Sequence, residues 1–337
     1  MKPTDLSYYV TAFFIKHLPN RKGASKNTIQ SYRDTFVLLF QYMTEKYRLT
    51  PEKLKLSSIK KEHVETFLEW LETNRKCSVG TRNVRLAAIH SFYRYLQYEM
   101  PDHLEQWQEI LSIPQKKGEI KVMNYASLDG IKQLLKMPDT KTPSGRRDLA
   151  LLSLMYDSGA RVQEVADLTA DMIRLDSPAT IKLIGKGNKA RIIPMMDAQR
   201  KILKSYMEEQ GLLKPEKRIR PLFVNQRGEK LTRAGIGFIL QKYVNMAQKQ
   251  EPELFPDKFS CHCMRHSKAM HMLQSGVNLV YIRDFLGHTS IQTTEIYART
   301  DTKQKREALE KAYSNVLPEE NAVWQNNQKL LDWLKNL

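Results

Sequence analysis

The stretch ATIKLIGKGNKARIIPM, residues 179–195, decides the class of fold that this chain adopts. It contains two short strand-like runs, ATIKLIG and ARIIPM, joined by KGNK. A Gly-Asn pair between two such runs is typical of a hairpin turn. Because the segments around this hairpin have helical periodicity, the sequence predicts a mainly α fold with a small β-hairpin or sheet.

The second half of the chain is otherwise predicted to be helical. The segment 144–159, SGRRDLALLSLMYDSG, is an apolar helix that ends at Gly159, since glycine readily takes the left-handed conformation that terminates helices. Further helices are predicted at 196–210, 232–250, 262–275, 279–286, 290–298 and 303–314. The last segment, NAVWQNNQKLLDWLKNL (321–337), has a helix-spaced apolar stripe that docks either on its own domain or on a neighbouring molecule.

The first 111 residues predict a unit of four helices. Ser25 and Ser78 are suited to cap two of them, because a serine hydroxyl accepts a hydrogen bond from the backbone at a helix start. The other two helices cover 8–18 and 61–75. The polar faces carry candidate DNA-contacting residues, namely Lys26, Asn27, Arg33, Thr81, Arg82 and Arg85. Polar helix faces are usually only solvated, so these residues alone do not distinguish DNA contact from solvation.

A boundary separates the two halves. The segment 112–125, SIPQKKGEIKVMNY, combines Pro, Gly and three lysines without a helical period, as linkers do. The predicted organisation is a helical domain at 1–111, a basic linker at 112–125, a second domain at 126–316 and a helical tail at 317–337. A chain of 337 residues is long enough for two cores.

Charge indicates a polyanionic partner. The chain has 54 Lys and Arg against 37 Asp and Glu, a formal net charge of +17, and the basic residues are spread along the whole sequence. Such a protein binds phosphate backbones because each neutralised phosphate releases condensed counterions. Solubility alone is the other explanation, but it requires less charge. No apolar run reaches the roughly 20 residues of a membrane span, and charges interrupt the N-terminal segment, so we expect a cytoplasmic protein without a signal peptide.

Cysteine and histidine do not predict a metal site. Two of the three cysteines flank a histidine, in Cys261-His262-Cys263, but zinc needs three or four ligands and no second Cys/His pair at ligand spacing follows. We therefore expect neither a metal nor another cofactor. A zinc hydrolase that uses this cluster together with His266 remains an alternative, which metal analysis of the purified protein would test.

Four short segments of the second half carry residues suited to phosphate chemistry. Each residue alone is most often structural or solvated. Together they are two arginines, a lysine, two histidines and a tyrosine, namely Arg161, Lys186, His262, Arg265, His288 and Tyr297. Arginine binds the non-bridging oxygens of a phosphate, histidine accepts a proton near neutral pH, lysine donates one, and tyrosine is a nucleophile. Glu164 follows Arg161 by one helical turn and is placed to brace it, while Lys189 is a basic residue at the hairpin tip.

These segments resemble the conserved boxes of the tyrosine recombinases, the phage-integrase group that includes the bacterial Xer recombinases. The resemblance rests on the order of the six residues and on SGARVQEV (158–165), IGKGNKARIIP (184–194), HCMRHSKAMHML (262–273) and LGHTSIQTTEIYA (286–298). It covers nearly the whole chain and implies a two-domain clamp, with an N-terminal helical core-binding domain and an α+β catalytic domain. Cys263 stands where the family often has an aliphatic residue, which removes no catalytic group.

The resemblance implies site-specific DNA recombination that needs no metal. Tyr297 would attack a DNA phosphate and form a 3′-phosphotyrosyl link with a free 5′-hydroxyl. Lys186 would protonate the departing 5′-oxygen, and His262 would act as the base toward Tyr297.

The remaining site residues would hold the phosphate. Arg161, Arg265 and His288 would stabilise charge on its equatorial oxygens, and Glu164 would orient Arg161. The implied partners are double-stranded DNA with specific core sites and further copies of this chain, as a tetramer on two duplexes. The tail at 317–337 would then supply a contact between protomers.

The biological role is less sharply defined by the sequence than the chemistry is. We favour integration, excision or transposition of a mobile element. Xer-type chromosome-dimer resolution, a type IB topoisomerase and a catalytically inactive DNA-binding protein are the alternatives. The expected location is the cytoplasm, in association with the nucleoid.

Overall fold

The chain forms two compact units. The structure, a computed structural model, describes residues 4–118, 123–288, 290–300 and 334–335, without the side chains of residues 186, 299 and 300. The two units divide between positions 121 and 122, inside the segment predicted as a linker. We call them the N-terminal unit and the C-terminal unit. The finer limits of the four predicted regions stay predictions.

Helices build the N-terminal unit. They are α1 (Asp5–Ala12), α2 (Lys26–Tyr47), α3 (Lys61–Thr73), α4 (Val79–Glu99) and α5 (Leu104–Leu111), with a π-helical segment at Phe13–Arg21. The Ser25 hydroxyl caps α2 by accepting a hydrogen bond from the Thr28 N–H at 3.2 Å. Ser78 caps α4 in the same way, from Thr81 at 3.3 Å. Both caps are as predicted.

The N-terminal unit differs from the prediction in two places. Its first helix begins at Asp5 and continues into the π-helical segment, which contains Pro19. Proline has no backbone N–H, so the regular helical hydrogen bond cannot form at that position. The short helix α5 is an addition to the four predicted helices, and it buries Trp107 and Ile110 in the core of the unit.

The C-terminal unit combines helices with one small sheet. Its helices are α6 (Leu128–Lys136), α7 (Pro143–Ser158), α8 (Val162–Ala166), α9 (Asp197–Glu209), α10 (Arg233–Gln250), α11 (Cys261–Gln274), α12 (Leu279–Leu286) and α13 (Gln292–Thr300). The predicted helices between 144 and 298 are thereby confirmed. The predicted helix at 303–314 lies outside the described residues, and so does the predicted tail at 317–337 apart from residues 334 and 335.

The sheet has three antiparallel strands in the order β1 (Ile173–Arg174), β2 (Thr180–Ile184) and β3 (Ala190–Pro194). The predicted hairpin is formed by β2 and β3, and the two-residue strand β1 is an addition. Gly187 and Asn188 have φ angles of +75° and +59° in the turn between β2 and β3. Both residue types tolerate this left-handed backbone, which explains why they occur at the hairpin tip.

A central apolar helix positions the rest of the C-terminal unit. The side chains of Leu151, Leu152 and Leu154 in α7 are fully buried. Helix α11 packs against α7, α12 and α13. The end of α7, the start of α11 and the connection from α12 to α13 are thus held in one body. Within the described ranges, no helix is both long and apolar enough to span a bilayer.

Candidate active site

The site begins where α7 ends. Gly159 terminates α7 in the left-handed conformation, with φ at +55°. The left-handed backbone favours glycine here, and a Cβ atom at this position would also lie only 2.9 Å from Cδ2 of Leu286. The turn places Arg161 at the N-cap of α8.

Arg161 is fixed at both ends of its guanidinium. Glu164 accepts hydrogen bonds from the Arg161 backbone N–H at 2.8 Å and from its Nη1 at 2.9 Å. The Nη2 atom donates to the Gly287 carbonyl at 3.2 Å. About a third of the Arg161 side chain, 34%, stays exposed, so the guanidinium can still meet an anion from solvent.

Arg191 of β3 is a site residue that sequence reasoning missed. Its Nη1 and Nη2 atoms donate to the two carboxylate oxygens of Glu164 at 2.9 Å and 2.7 Å, and its Nε donates to the Phe285 carbonyl at 3.0 Å. The alternation of inward and outward side chains along β3 could have indicated it. Arg191 lies on the same strand face as buried Ile193, and a charge on an inward face needs a partner.

Glu164 is the buried anion that joins these arginines. Its side chain is 3% exposed. Burial opposes ionisation, but the hydrogen bonds from Arg191 and Arg161 more than offset it and hold the pKa of the carboxyl below its usual range. The carboxylate therefore stays ionised at neutral pH and keeps both guanidinium groups in place.

Arg265 is buried beside them. It is 3% exposed, and its Nη1 and Nη2 atoms donate to the Gly159 and Leu286 carbonyls, each at 2.7 Å. Burial and the nearby charge of Arg161 lower the pKa of Arg265 to about 10, so it is still a cation near neutral pH. Arg265 thus ties the end of α7 to the end of α12.

His288 follows Gly287, the residue that caps the end of α12. Its Nδ1 atom pairs with the Thr294 hydroxyl at 2.9 Å, and Thr294 itself is fully buried. Burial, together with the charges of Arg265 and Arg161, lowers the pKa of His288 to about 4. The imidazole is therefore neutral near pH 7, and its orientation is set by Thr294, a second residue that sequence reasoning missed.

Tyr297 of α13 lies against His288 but bonds to a different histidine. The two rings are nearly parallel, at 7°, with centroids 6.3 Å apart. Tyr297 is 1% exposed, and its hydroxyl pairs with Nδ1 of His266 at 3.1 Å. Burial raises the pKa of Tyr297, against the lowering effect of Arg265 and Arg161. His262, the predicted base toward Tyr297, is exposed in the first turn of α11.

The two lysines of the hairpin are less fully defined. Lys186 and Lys189 flank the turn between β2 and β3. The Lys189 side chain is exposed, while that of Lys186 lies outside the described residues.

These elements enclose a cleft of about 490 Å³. Its lining residues are Arg161, Gly185, Lys189, Ala190, Arg191, Arg283, Asp284, Gly287 and His288. The four basic side chains outnumber the one acidic side chain, so the cleft favours an anion. The predicted residues Arg161 and His288 meet here with the hairpin tip.

The candidate DNA-contacting residues of the N-terminal unit fall into two groups. Lys26, Asn27 and Arg33 are exposed and Thr81 is half-buried. Arg82 contradicts the prediction of an exposed polar face, because it is 7% exposed and its Nη1 donates to the Pro114 carbonyl at 3.1 Å. Arg85 is also bonded within the unit.

The Nη1 atom of Arg85 donates to the Ser31 carbonyl at 2.9 Å and to the Thr35 hydroxyl at 3.1 Å. Arg85 therefore joins α4 to α2. Both arginines fall on the side of α4 that meets other parts of the unit, which a pattern of polar residues alone does not reveal.

The alternative zinc site does not assemble within the part of the chain that the structure describes. No group of three or more His, Cys, Asp or Glu side chains there is placed to hold a metal ion. Burial raises the pKa of the Cys261 thiol to about 11, which disfavours the thiolate that a zinc ligand must supply.

A helical unit followed by an α+β unit whose site holds two arginines, histidines and a buried tyrosine defines a tyrosine recombinase. Family models agree: residues 125–304 match the phage integrase family, and residues 12–99 match the phage integrase N-terminal SAM-like domain. The chain belongs to the phage integrase family.

Similar proteins carry related names. The integrase/recombinase y4rC of Sinorhizobium fredii is 35% identical over 92% of each chain. The tyrosine recombinase XerD of Listeria innocua is 33% identical over 84% of this chain and 91% of its own.

Solved structures show the same fold. The XerH recombinase in its post-cleavage complex with difH DNA has a TM-score of 0.66 at 22% identity, over 85% of this chain and 80% of its own. The Tn1549 transposon integrase in complex with transposon right end DNA has a TM-score of 0.68 at 15% identity, over 90% of this chain and 98% of its own.

Proposed function

We propose that this chain cuts and rejoins DNA at specific sites through a covalent link between Tyr297 and the 3′ phosphate. One observation carries the proposal. Arg161 and Arg265 donate to the Gly287 and Leu286 carbonyls, which directly precede His288, and His288 lies against Tyr297. Two cations, a neutral imidazole and a tyrosine are thus gathered around one short turn, as attack on a phosphodiester requires.

The arginines would bind the phosphate. The developing charge in phosphoryl transfer lies on the non-bridging oxygens, and preorganised guanidinium groups stabilise it without reorganisation. The Arg161 guanidinium is partly exposed, and it is held by Glu164, which is itself held by Arg191. His288 would donate from Nε2, since Thr294 engages its Nδ1.

The leaving 5′-oxygen needs a proton. Lys186, at the hairpin tip, is our candidate donor on the ground of its place in the sequence. Partial burial of His262, followed by the charges of Arg265 and Arg161, lowers its pKa, so its imidazole is neutral near pH 7. We assign it to the same phosphate.

The DNA partner and the assembly follow from the same chemistry. Strand exchange joins ends from two duplexes, so we propose a tetramer on two core sites, with the tail at 317–337 as the protomer contact. The XerH and Tn1549 structures are complexes with DNA, which supports the DNA partner. We expect action at nucleoid DNA in the cytoplasm.

For the biological role, we propose mobile-element integration, excision or transposition. The names of the S. fredii relative and of the Tn1549 transposon integrase support it, whereas XerD relatives support chromosome-dimer resolution as the second candidate. Inverted core sites in the DNA beside the gene would favour the mobile element. A topoisomerase would relax supercoils without exchanging strands between duplexes, which a two-duplex strand-transfer assay distinguishes.

The reaction is tested by trapping the covalent intermediate. The core site is first selected from a randomised duplex pool by binding to the full chain. It is then offered as a panel of duplexes nicked at successive positions, here called the suicide duplexes. We expect the wild-type protein to become trapped on one of them as an SDS-resistant adduct with a free 5′-hydroxyl, also with EDTA present.

The matched variant is Tyr297→Phe, which removes one oxygen and should bind the duplex but form no adduct. An adduct with this variant would move the nucleophile elsewhere, first to Tyr281, which is 70% exposed on α12. A catalytically inactive DNA-binding protein would give no adduct even with the wild-type chain, and a requirement for a divalent metal would contradict the proposed chemistry.

A further inference from the structure

The hydroxyl of Tyr297 has a specific neighbour outside the predicted catalytic set. His266 lies one helical turn after His262 in α11, and its Nδ1 atom is 3.1 Å from the Tyr297 hydroxyl oxygen. The ring centroids of His266 and Tyr297 are 5.7 Å apart. The contact is in the interior, because Tyr297 is 1% exposed. The ring of His262 instead lies 6.2 Å from that of His266.

We propose that His266 is a further catalytic residue, which accepts the proton of the Tyr297 hydroxyl as that oxygen attacks the DNA phosphate. The inference rests on the proposed function. In this step the phenol oxygen forms a bond to phosphorus, and the bond from phosphorus to the 5′-oxygen breaks. The phenol proton passes to Nδ1 of His266, while the 5′-oxygen takes a proton from Lys186. Religation reverses each transfer, so the imidazolium returns its proton to the phenol.

The backbone around His266 is held firmly enough for this task. The preceding residue, Arg265, donates to the Gly159 and Leu286 carbonyls. The following residue, Ser267, accepts a hydrogen bond from the Ala126 N–H at 2.9 Å and donates to the Cys263 carbonyl at 2.8 Å. A proton acceptor must be within hydrogen-bond reach of its donor, and these anchors keep His266 there.

The protonation states also suit the transfer. The titratable and charged groups that face His266 are His262 and Arg265 on its own helix, Tyr297 on α13 and His288 on the preceding turn. Burial, followed by the effects of His262 and Arg265, lowers the pKa of His266 to about 4, so its lone pair is free near pH 7. A bound DNA phosphate brings negative charge, which raises the pKa of a nearby imidazole and strengthens it as a base.

The test compares His266→Gln with His262→Gln, its neighbour on the same helix, in single-turnover adduct formation on the suicide duplex from pH 6 to 9. Wild type should show little dependence on pH above 6. We expect His266→Gln to be slower by about a hundredfold at pH 7, the scale of general base catalysis. Its rate should rise nearly tenfold per pH unit, because the phenol must then lose its proton to solvent. His262→Gln should keep the flat profile, whatever its rate.

Each other outcome overturns the inference. If the steep profile belongs to His262→Gln, His262 is the base. A flat profile for His266→Gln denies it a role in proton transfer, and faster cleavage than wild type would make the contact a restraint on Tyr297.

If His266→Gln fails to fold, the proposal can still be tested by a measurement on the wild-type protein without DNA. In ¹⁵N spectra of the full wild-type chain near pH 7, Nδ1 of His266 should be unprotonated and should shift in Tyr297→Phe. A protonated Nδ1 contradicts the proposal. Failure of the wild type to form any adduct would instead count against the proposed function.

Discussion

The two units use their basic residues in opposite ways. In the N-terminal unit, the side chains of Lys26 and Arg33 on α2 are exposed, and Arg33 forms an ion pair with its neighbour Asp34. In the C-terminal unit, Arg191 and Arg265 are largely enclosed, and their guanidinium groups bond to a carboxylate or to backbone carbonyls. Exposed charges attract a phosphate backbone over a distance, whereas enclosed charges fix the positions of particular atoms.

Arg82 shows that the environment and not the residue type decides between these uses. It belongs to the N-terminal unit but is buried and bonded to the Pro114 carbonyl. Its loss should therefore affect folding more than DNA binding. We therefore expect that substituting an enclosed charged residue lowers the free energy of unfolding by several kcal/mol or the cleavage rate by orders of magnitude. Substituting an exposed charged residue should change both quantities little.

The largest effect is expected at Arg191. Arg191→Met should lower the free energy of unfolding by about 3 to 5 kcal/mol, because it leaves the buried Glu164 carboxylate with only Arg161 as a partner. Urea unfolding followed by circular dichroism measures this. The matched control is Arg200→Met, whose partner Asp197 is 82% exposed, and it should cost at most about 1 kcal/mol. Equal losses for the two variants would contradict the comparison.

The second effect concerns the rate of cleavage. Arg161→Ala and His288→Ala should each slow adduct formation on the suicide duplex by about 10² to 10³, or roughly 2.7–4 kcal/mol, the range for loss of one oxyanion donor. Affinity for the duplex should change far less, since exposed basic residues elsewhere hold the backbone. Gel-based single-turnover rates and binding titrations separate the two quantities. A variant that cuts at nearly the wild-type rate would remove that residue from the site.

The hairpin and most helices of the C-terminal unit were predictable from local signals, but helix α6 was not predicted. Gly187 and Asn188 mark the turn between β2 and β3, and Gly159 marks the end of α7. The two residues of strand β1 are too few for a periodic pattern, and helix α5 was not predicted either.

The candidate site also contains features that were predictable from the sequence and features that were not. The order of Arg161, His288 and Tyr297 and the pairing of Arg161 with Glu164 could be recognised in the sequence, but the partners from distant parts of the chain could not. Arg191 joins Glu164 from 27 positions further along the chain, and His266 meets Tyr297 across 31 positions. Such pairings depend on how β3, α11 and α13 fold together, which no local pattern encodes. The prediction that Arg82 lies on an exposed face was wrong for the same reason, because its partner Pro114 is 32 positions away in the chain.

The third effect is a loss of stability in mild acid. His266 and His288 have pKa values lowered to about 4 in the folded protein, against 6.5 as the ordinary value. Between pH 4 and 6.5 the unfolded chain therefore binds more protons, so stability falls as the pH falls through this window and is fully present above it. We expect a loss of about 1 to 2 kcal/mol per histidine from pH 7 to pH 4.5, less than the full value of about 1.4 kcal/mol per pKa unit, because both imidazoles are partly exposed and solvent screens their surroundings.

Urea unfolding at several pH values measures this loss, with His288→Asn as the matched variant. The variant keeps a polar side chain opposite Thr294 but does not titrate in this window, so its stability should depend less steeply on pH. An unchanged slope would show that His288 is not held neutral by its surroundings.

The smallest effect is expected at the exposed end of α2. Lys26→Ala should weaken binding to a random-sequence duplex only a few-fold and lower the slope of log affinity against log salt by about 0.9, as for the loss of one phosphate contact. The free energy of unfolding should stay within about 0.5 kcal/mol, because the Lys26 side chain is exposed. Arg82→Ala is the control within the same unit. It should leave the salt slope unchanged but lower stability by about 1 to 3 kcal/mol, because the buried Arg82 side chain loses its packing and its hydrogen bond to the Pro114 carbonyl. A reduced salt slope for Arg82→Ala together with an unchanged slope for Lys26→Ala would reverse the assignment of the two residues and show that burial does not decide which basic side chains of this unit meet the phosphates.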